Sequence, residues 1–390
     1  MTKRLIGVAS SFGYGPASKL LAVAKPLKTL GYDLCFVGRG PALELAQHFP
    51  FDRVLAWQDA GDRRDIEREL EKAEGIVNVM EPRFGDLARP PSLPHFYIDS
   101  LFWMWSRLDP RTAHADIYFI QNFVGVQAQV DRWRAEMRNP QIVGPVVDIS
   151  GSPPAPPARA RPPALVINFG GLASGSMRQG QELAYPGILL RLLLPILNRV
   201  AGRYEKITFT GNRKVMAYLD QQFPQRAPNI YFTHLSHKAF LTLLRSARCL
   251  LTSPGLTTTY EAFLLNVPVR FLPPQNYSQT LMLDHYRQAG LSDYALHWKD
   301  IYAGYDVGRG SEVSTAVRTI LATIEAFAGD LPAQERAAEI LRQAVNEPIR
   351  PTLGLRQAEF ARSMGRPAPA SIARRIDAYL KKTPPRSARR

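Results

Sequence analysis

The sequence predicts an α/β protein made of two doubly wound, parallel-sheet domains followed by a helical extension. Three observations carry this. Short apolar strands alternate with helix-length segments over residues 1–149, a Pro-rich break follows at 150–163, and the alternation restarts at residue 164. Strands alternating with helices build parallel sheets, because each crossover must return the chain to the edge it started from. A length of 390 residues suits two domains at roughly 100–200 residues each.

Taken in order, the strands of the first domain are Leu5–Ser10, Asp33–Gly38, Arg53–Trp57, Gly75–Met80, His95–Asp99, Asp116–Gln121 and Gln141–Val147. Each is a short apolar run, the pattern of a strand buried on both faces. Between the first two, Leu20, Leu21, Val23, Ala24, Leu27 and Leu30 recur at helical spacing over Ala17–Leu30. Ser150–Pro163 (SGSPPAPPARARPP) has no apolar period and reads as an extended linker. The second domain offers strands Ala164–Phe169, Lys206–Gly211, Asn229–His234, Cys249–Ser253 and Pro268–Leu272. Helical segments intervene at Leu183–Ala201, Arg213–Phe223, Lys238–Ser246, Thr258–Leu265 and Ser278–Ala289. After Ser311 the pattern is wholly helical, so the second domain is bounded at 164–330 and the extension with its basic tail at 331–390. Ligands of such sheets lie at the carboxyl ends of the strands, which makes the cleft between the domains the expected site.

Composition narrows the class. The chain is 45% hydrophobic and 21% charged, which fits a globular protein and not a disordered one. The longest apolar run, Gly187–Leu197, contains Arg191 and Pro195 and falls short of the roughly 20 apolar residues a membrane span needs. The N-terminal apolar run is too short for a signal peptide and reads as a first strand. Cys35 and Cys249 both sit in apolar runs, so buried reduced thiols and a cytoplasmic location are expected. The net charge of +15 favours anionic partners. Eight Lys/Arg and one Asp after Met364 put +7 in the tail, which reads either as an anchor to an anionic membrane or as a solvated end. No Asp-x-Asp and no His/Cys cluster has metal-ligand spacing, so neither a metal nor a resident cofactor is expected.

The most informative stretch is Leu251–Gln279, LTSPGLTTTYEAFLLNVPVRFLPPQNYSQ. A buried strand ends at Ser253, Pro254–Gly255 turn the chain, and Thr257, Thr258 and Thr259 open a helix. A helix N-terminus presents unpaired N–H groups to a phosphate, and Glu261, expected in the first turn, suits a pair of vicinal hydroxyls. The same residues equally describe a capped helix with an acid on its dipole.

The segment resembles the nucleotide-sugar signature of GT-B fold glycosyltransferases, both the secondary-product glucosyltransferases and the peptidoglycan N-acetylglucosaminyltransferases. In that signature a Gly stands six residues before a Glu, a Pro seven after it, and a Gln about eleven beyond the Pro, which Gly255, Glu261, Pro268 and Gln279 match. The resemblance implies two Rossmann-like domains facing across a cleft and a UDP-sugar as co-substrate. Thr257 and Thr258 would face the diphosphate, Glu261 the ribose, and Ser278 and Gln279 the transferred sugar. Ser253 stands where the family has a His, and Ser278 where it has an acid. Gly170 and Gly171 of Asn168-Phe-Gly-Gly-Leu-Ala-Ser-Gly175 would meet the donor phosphates, with Arg213 near them. Leu235, Ser236 and His237 fall where the family contacts uracil.

The first domain would hold the acceptor, through Ser11, Gly13 and Tyr14 of the loop after the first strand. That loop resembles one that carries a general-base His in many inverting members, but here the position falls on Pro16. Asp99, at a strand carboxyl end among aromatics, is then the leading base candidate, followed by His95 and Tyr14; capping the next segment is its other role. Phe102 and Trp103, with Phe96, Tyr97, Trp105, Tyr118, Phe119 and Phe123, are either core or a stacking wall for a planar acceptor. The second option would be similar to enzymes that join cytosine to glucuronic acid for nucleoside antibiotics. The expected partners are therefore an NDP-sugar and a small planar or apolar acceptor. A lipid acceptor at a membrane surface, a nucleotide-sugar 2-epimerase and a nucleic-acid-modifying transferase are the alternatives, although the charge is not interleaved with aromatics as stable nucleic-acid binding would require.

Overall fold

The computed structural model describes residues 3–57, 62–86, 93–150, 161–170, 177 and 180–383. Linker residues 151–160 and tail residues 384–390 lie outside that set. The described residues form two compact units. One comprises those up to Asp148 together with those from Met364 onward, and the other those from Ile149 to Ser363.

The first unit is built on seven strands: β1 (Lys3–Ala9), β2 (Tyr32–Gly38), β3 (Arg53–Ala56), β4 (Gly75–Val79), β5 (His95–Asp99), β6 (Ile117–Gln121) and β7 (Pro140–Val143). All pair in parallel, in the order β3-β2-β1-β4-β5-β6-β7. The crossovers carry α1 (Gly15–Thr29), α2 (Gly40–Ala46), α3 (Arg63–Lys72), α4 (Pro110–Ala113) and α5 (Val126–Trp133). Alternate residues of the strands feed separate cores, as strand geometry requires. Leu5, Leu34 and Phe36 join Leu20, Val23 and Leu27 of α1, whereas Ile6, Val8, Cys35 and Val37 join Ile66 and Leu70 of α3. Strand order reverses between β1 and β4, the switch point at which such sheets bind ligands.

The second unit repeats the plan with β8 (Ala164–Asn168), β9 (Lys206–Thr210), β10 (Ile230–Thr233), β11 (Cys249–Thr252) and β12 (Val269–Phe271), parallel in the order β10-β9-β8-β11-β12. Its helices are α6 (Gln181–Val200), α7 (Arg213–Gln222), α8 (His237–Ser246), α9 (Leu256–Leu264), α10 (Tyr277–Gln288), α11 (Trp298–Ile301), α12 (Val313–Gly329), α13 (Leu331–Asn346) and α14 (Pro351–Ser363). The stretch Gln181–Arg203 is long and apolar enough to cross a membrane by length and composition, with a mean hydropathy of 1.3. Most of it is buried in this unit against α7, α12 and α13, as in a core helix.

Two buried arginines close helix C-termini, where unpaired carbonyls need donors. Arg161 donates to the carbonyls of Leu265 (3.2 Å) and Asn266 (3.1 Å) after α9. Arg270 of β12 donates to the carbonyls of Ala344 (2.7 Å) in the last turn of α13 and of Glu347 (2.8 Å) and Pro348 (3.0 Å) just after it. The last helix, α15 (Pro369–Lys382), belongs to the first unit and packs on α1 through Ile372, Ala373, Ile376 and Leu380. Both cysteines are free and buried; burial pushes the Cys35 thiol up to about 12 and the Cys249 thiol to about 11.

Candidate functional site

In the second unit the candidate donor residues gather at the carboxyl ends of β8, β9 and β11. Asn168 ties these ends together: its amide donates to Thr210 Oγ1 (2.8 Å), and its Oδ1 accepts the Gly170 N–H (2.9 Å) and the Thr252 hydroxyl (3.5 Å). Gly170 has φ +68°, a conformation glycine tolerates and which brings bare backbone to the edge. Its own N–H is engaged by Asn168, so Gly170 offers a close approach and no free donor. Gly171 lies outside the described residues.

Ser253 is buried. Its hydroxyl meets Tyr185 OH (3.0 Å) and the Gln275 amide, and that amide also donates to the Phe169 carbonyl (3.1 Å). Tyr185 OH in turn donates to the Pro273 carbonyl (2.5 Å). Ser253 is thus an internal brace where the family signature has a histidine. Tyr185 and Gln275 are contributors that spacing did not reveal. Both line a small surface depression with Gln181 and Glu182 of α6 and Leu321 and Ile324 of α12.

The helix after β11 starts at Leu256, with Gly255 as its N-cap. Glu261 therefore sits in the second turn, one turn later than the expected first-turn position. Asn212, Ser236 and Asn276 cap α7, α8 and α10 with their side chains, but α9 has no side-chain cap and no acid in its first turn. Its N-terminus therefore keeps the partial positive charge of a helix start. Thr257 and Thr258 are half-buried there, whereas Thr259 is fully buried. A Cβ on Gly255 would lie 3.8 Å from Gln279 Nε2, so the Gln279 amide adjoins the turn into α9. Gln279 is held by the Gln275 N–H on its Oε1 (2.8 Å), and Ser278 is held by Asn276 (2.9 Å).

Glu261 is buried, and its Oε1 meets His237 Nε2 at 2.7 Å. These two candidates stand 24 residues apart in sequence and form one unit in space. His237 opens α8 behind Leu235 and the capping Ser236. His234 Nδ1 bonds the Gly211 carbonyl (3.1 Å), which draws the β10–α8 loop towards the exit of β9. Arg213 opens α7 and is exposed.

The candidates of the first unit are dispersed. Ser11 lies against the start of α2, Gly13 takes φ +65°, and Tyr14 precedes α1 with its hydroxyl on Glu44 Oε2 (3.1 Å). Burial and then Glu44 push the Tyr14 hydroxyl up, away from the phenolate. His95 is buried at the amino end of β5, four residues and roughly 13 Å of strand from the ligand edge. Asp99 is buried and its oxygens are occupied: Oδ1 accepts the Leu101 N–H (2.7 Å), and Oδ2 accepts Trp105 Nε1 (2.9 Å) and Tyr118 OH (2.9 Å). Burial pushes its carboxyl up against those bonds. Its oxygens brace the Leu101 backbone, Trp105 and Tyr118, and the turn at Phe102–Met104 has no side-chain cap. Phe102 and Trp103 are core side chains, Phe102 edge-on to Tyr118 and Trp133 and Trp103 beside Phe123. Among the described residues no three His, Cys, Asp or Glu side chains converge as a metal site.

No protein-family model matches the chain, and no curated protein matches it. Solved structures do. The chain is similar to an S. aureus MnaA–UDP co-structure at 11% identity and TM-score 0.55, over 98% of both chains. It is similar to Phytolacca americana UGT2 complexed with UDP-2fluoro-glucose and pterostilbene (11%, TM-score 0.52, 97% of this chain and 100% of that one). It is also similar to MurG of Acinetobacter baumannii (12%, TM-score 0.51, 98% and 100%). At such identities the likeness shows the fold, which is GT-B.

Proposed function

We propose that this chain is a glycosyltransferase that takes a sugar from a nucleoside-diphosphate donor, with UDP as the nucleotide, and passes it to a small acceptor held by the first unit. The observation that supports this most is the start of α9. It alone among the helices leaving β9, β10, β11 and β12 has no side-chain cap, and Gln279 adjoins it. Backbone N–H groups there would hold the diphosphate, and the helix dipole would stabilise its departure. Glu261, fixed through one oxygen by His237, keeps the other for the ribose hydroxyls. The Leu235–Ser236 backbone would meet the base, and Ser278 and Gln279 the sugar. Two structures of the same fold contain UDP or a UDP-sugar, which supports the choice of nucleotide.

The test is release of UDP from UDP-glucose, UDP-N-acetylglucosamine and UDP-glucuronate with pooled small acceptors, read with product mass. Glu261→Ala should weaken donor use about tenfold or more, the worth of a charge-assisted hydrogen bond. Conversion of the sugar with no acceptor present would reassign the chain as an isomerase.

A further inference from the structure

Glu81 is a buried carboxylate that stands outside the donor site and has no ion-pair partner among the described residues. It follows β4 at the carboxyl edge of the first sheet, beside the β1–β4 switch point, where ligands of such sheets bind. The fully buried Asn78 clamps its backbone, accepting the Glu81 N–H on Oδ1 (3.0 Å) and donating through Nδ2 to the Glu81 carbonyl (3.0 Å). Between the two, Met80 is held at φ +56°, a left-handed conformation that costs a non-glycine residue and tends to persist at functional positions.

Among the described residues no cation lies within ion-pair distance of Glu81, which is 6% exposed. Burial pushes its carboxyl up, while the charge of Arg39, a hydrogen bond from the Arg83 backbone N–H and the charges of Arg83 and Arg111 pull it back. The Arg83 N–H satisfies part of the carboxylate, but a charge buried without an ion pair still costs a fold stability.

Arg39 completes the surroundings. It precedes α2, lies over the Trp57 ring at 5.4 Å, and has no carboxylate partner among the described residues. Trp57 stands edge-on to Phe84 (5.5 Å), whose N–H donates to the Glu81 carbonyl (3.2 Å). The exits of β2, β3 and β4 thus bring the Glu81 carboxylate under the charge of the Arg39 guanidinium, and neither has an ion-pair partner among the described residues.

We propose that Glu81 is the proton acceptor of the transfer reaction, serving an acceptor whose O–H or N–H faces Glu81 and whose anionic group is held by Arg39. This rests on the donor reading above. The acceptor oxygen or nitrogen bonds to the anomeric carbon, and its proton passes to the Glu81 carboxylate. The bond from the anomeric carbon to the diphosphate oxygen breaks, and its electron pair leaves with UDP.

The experiment measures UDP release and glycoside mass with 4-hydroxybenzoate and with its methyl ester, using the three UDP-sugars above. Wild type, Glu81→Gln and Arg39→Gln are compared, with a thermal shift against UDP alongside. The expected result is preference for the acid over the ester in wild type, lost in Arg39→Gln. Glu81→Gln should lower transfer by about 100-fold or more, the usual worth of a general base. It should keep the UDP shift and melt no lower than wild type, because it removes an unpaired buried charge.

Transfer by Glu81→Gln within threefold of wild type, with the UDP shift retained, overturns the assignment of Glu81 alone. Equal use of acid and ester by wild type, or transfer to neither by a chain that binds UDP, overturns the acceptor class. Absence of any UDP shift in wild type overturns the donor reading and this inference with it.

Discussion

Acidification should destabilise the second unit through His297, the N-cap of α11. Its Nδ1 accepts the Lys299 N–H (3.0 Å), and the Asp300 carboxylate accepts the His297 N–H (2.8 Å), a reciprocal capping box. The ring is fully buried and stands edge-on to Tyr305. Burial lowers its pKa from 6.5 to about 4. A proton on Nδ1 would also remove the acceptor that caps the helix. Between pH 6.5 and 4 the unfolded chain binds the proton and the folded one does not, so stability falls as pH falls through that window. At pH 5 the span is 1.5 units, or about 2 kcal/mol at 1.36 kcal/mol per unit. His297→Asn keeps a capping oxygen and has nothing to titrate there. Urea denaturation at pH 7.5 and pH 5.0 should show the stability difference between wild type and variant changing by about 2 kcal/mol in the variant's favour. A difference that stays constant with pH would refute the reasoning.

Other expectations follow from the same contacts. Arg270→Leu strands three carbonyls at the end of α13 and should cost about 3 kcal/mol or more in urea denaturation, with Arg270→Lys recovering part of it. In Gly144→Ala the new Cβ would lie 2.0 Å from the Arg366 carbonyl. The segment leading into α15 must then shift, at about 1–3 kcal/mol, and limited proteolysis should cut there sooner. Asp99→Ala leaves the Leu101 N–H, Trp105 and Tyr118 without their acceptor and should cost about 3 kcal/mol. Asp99→Asn, which keeps one acceptor oxygen, should cost less by the same assay.

All twelve strands were legible as short apolar runs; parallel packing buries inner strands such as β4, β5 and β6 on both faces, and the edge strands β3, β7 and β10 are only partly buried. The helices facing them were legible from their spacing. Where α15 docks was not: Ile372, Ala373, Ile376 and Leu380 mark an apolar face without saying which sheet it covers. The site divides in the same way. The spacing from Gly255 to Gln279 is local, and the structure brings those residues to one turn. The His237–Glu261 pair and the Ser253–Tyr185–Gln275 brace join distant segments, so no pattern in one sequence could show them. Phe102 and Trp103 have one composition whether they are core or a ligand wall, and burial alone separates the two. Glu81 carried no motif, since its distinction is burial without an ion-pair partner among the described residues, which exists only in three dimensions.

The most direct test of the donor site is a thermal shift against UDP, GDP, CDP, ADP and dTDP, on wild type and on Glu261→Ala. A ligand that binds only the folded state stabilises it by about 2.7 kcal/mol at 100 times its Kd. The account predicts a shift with UDP, larger than with the other four, that is lost or sharply reduced in Glu261→Ala. No shift with any nucleotide, or a UDP shift indifferent to Glu261, would contradict it and leave α9 as a helix with an uncapped start.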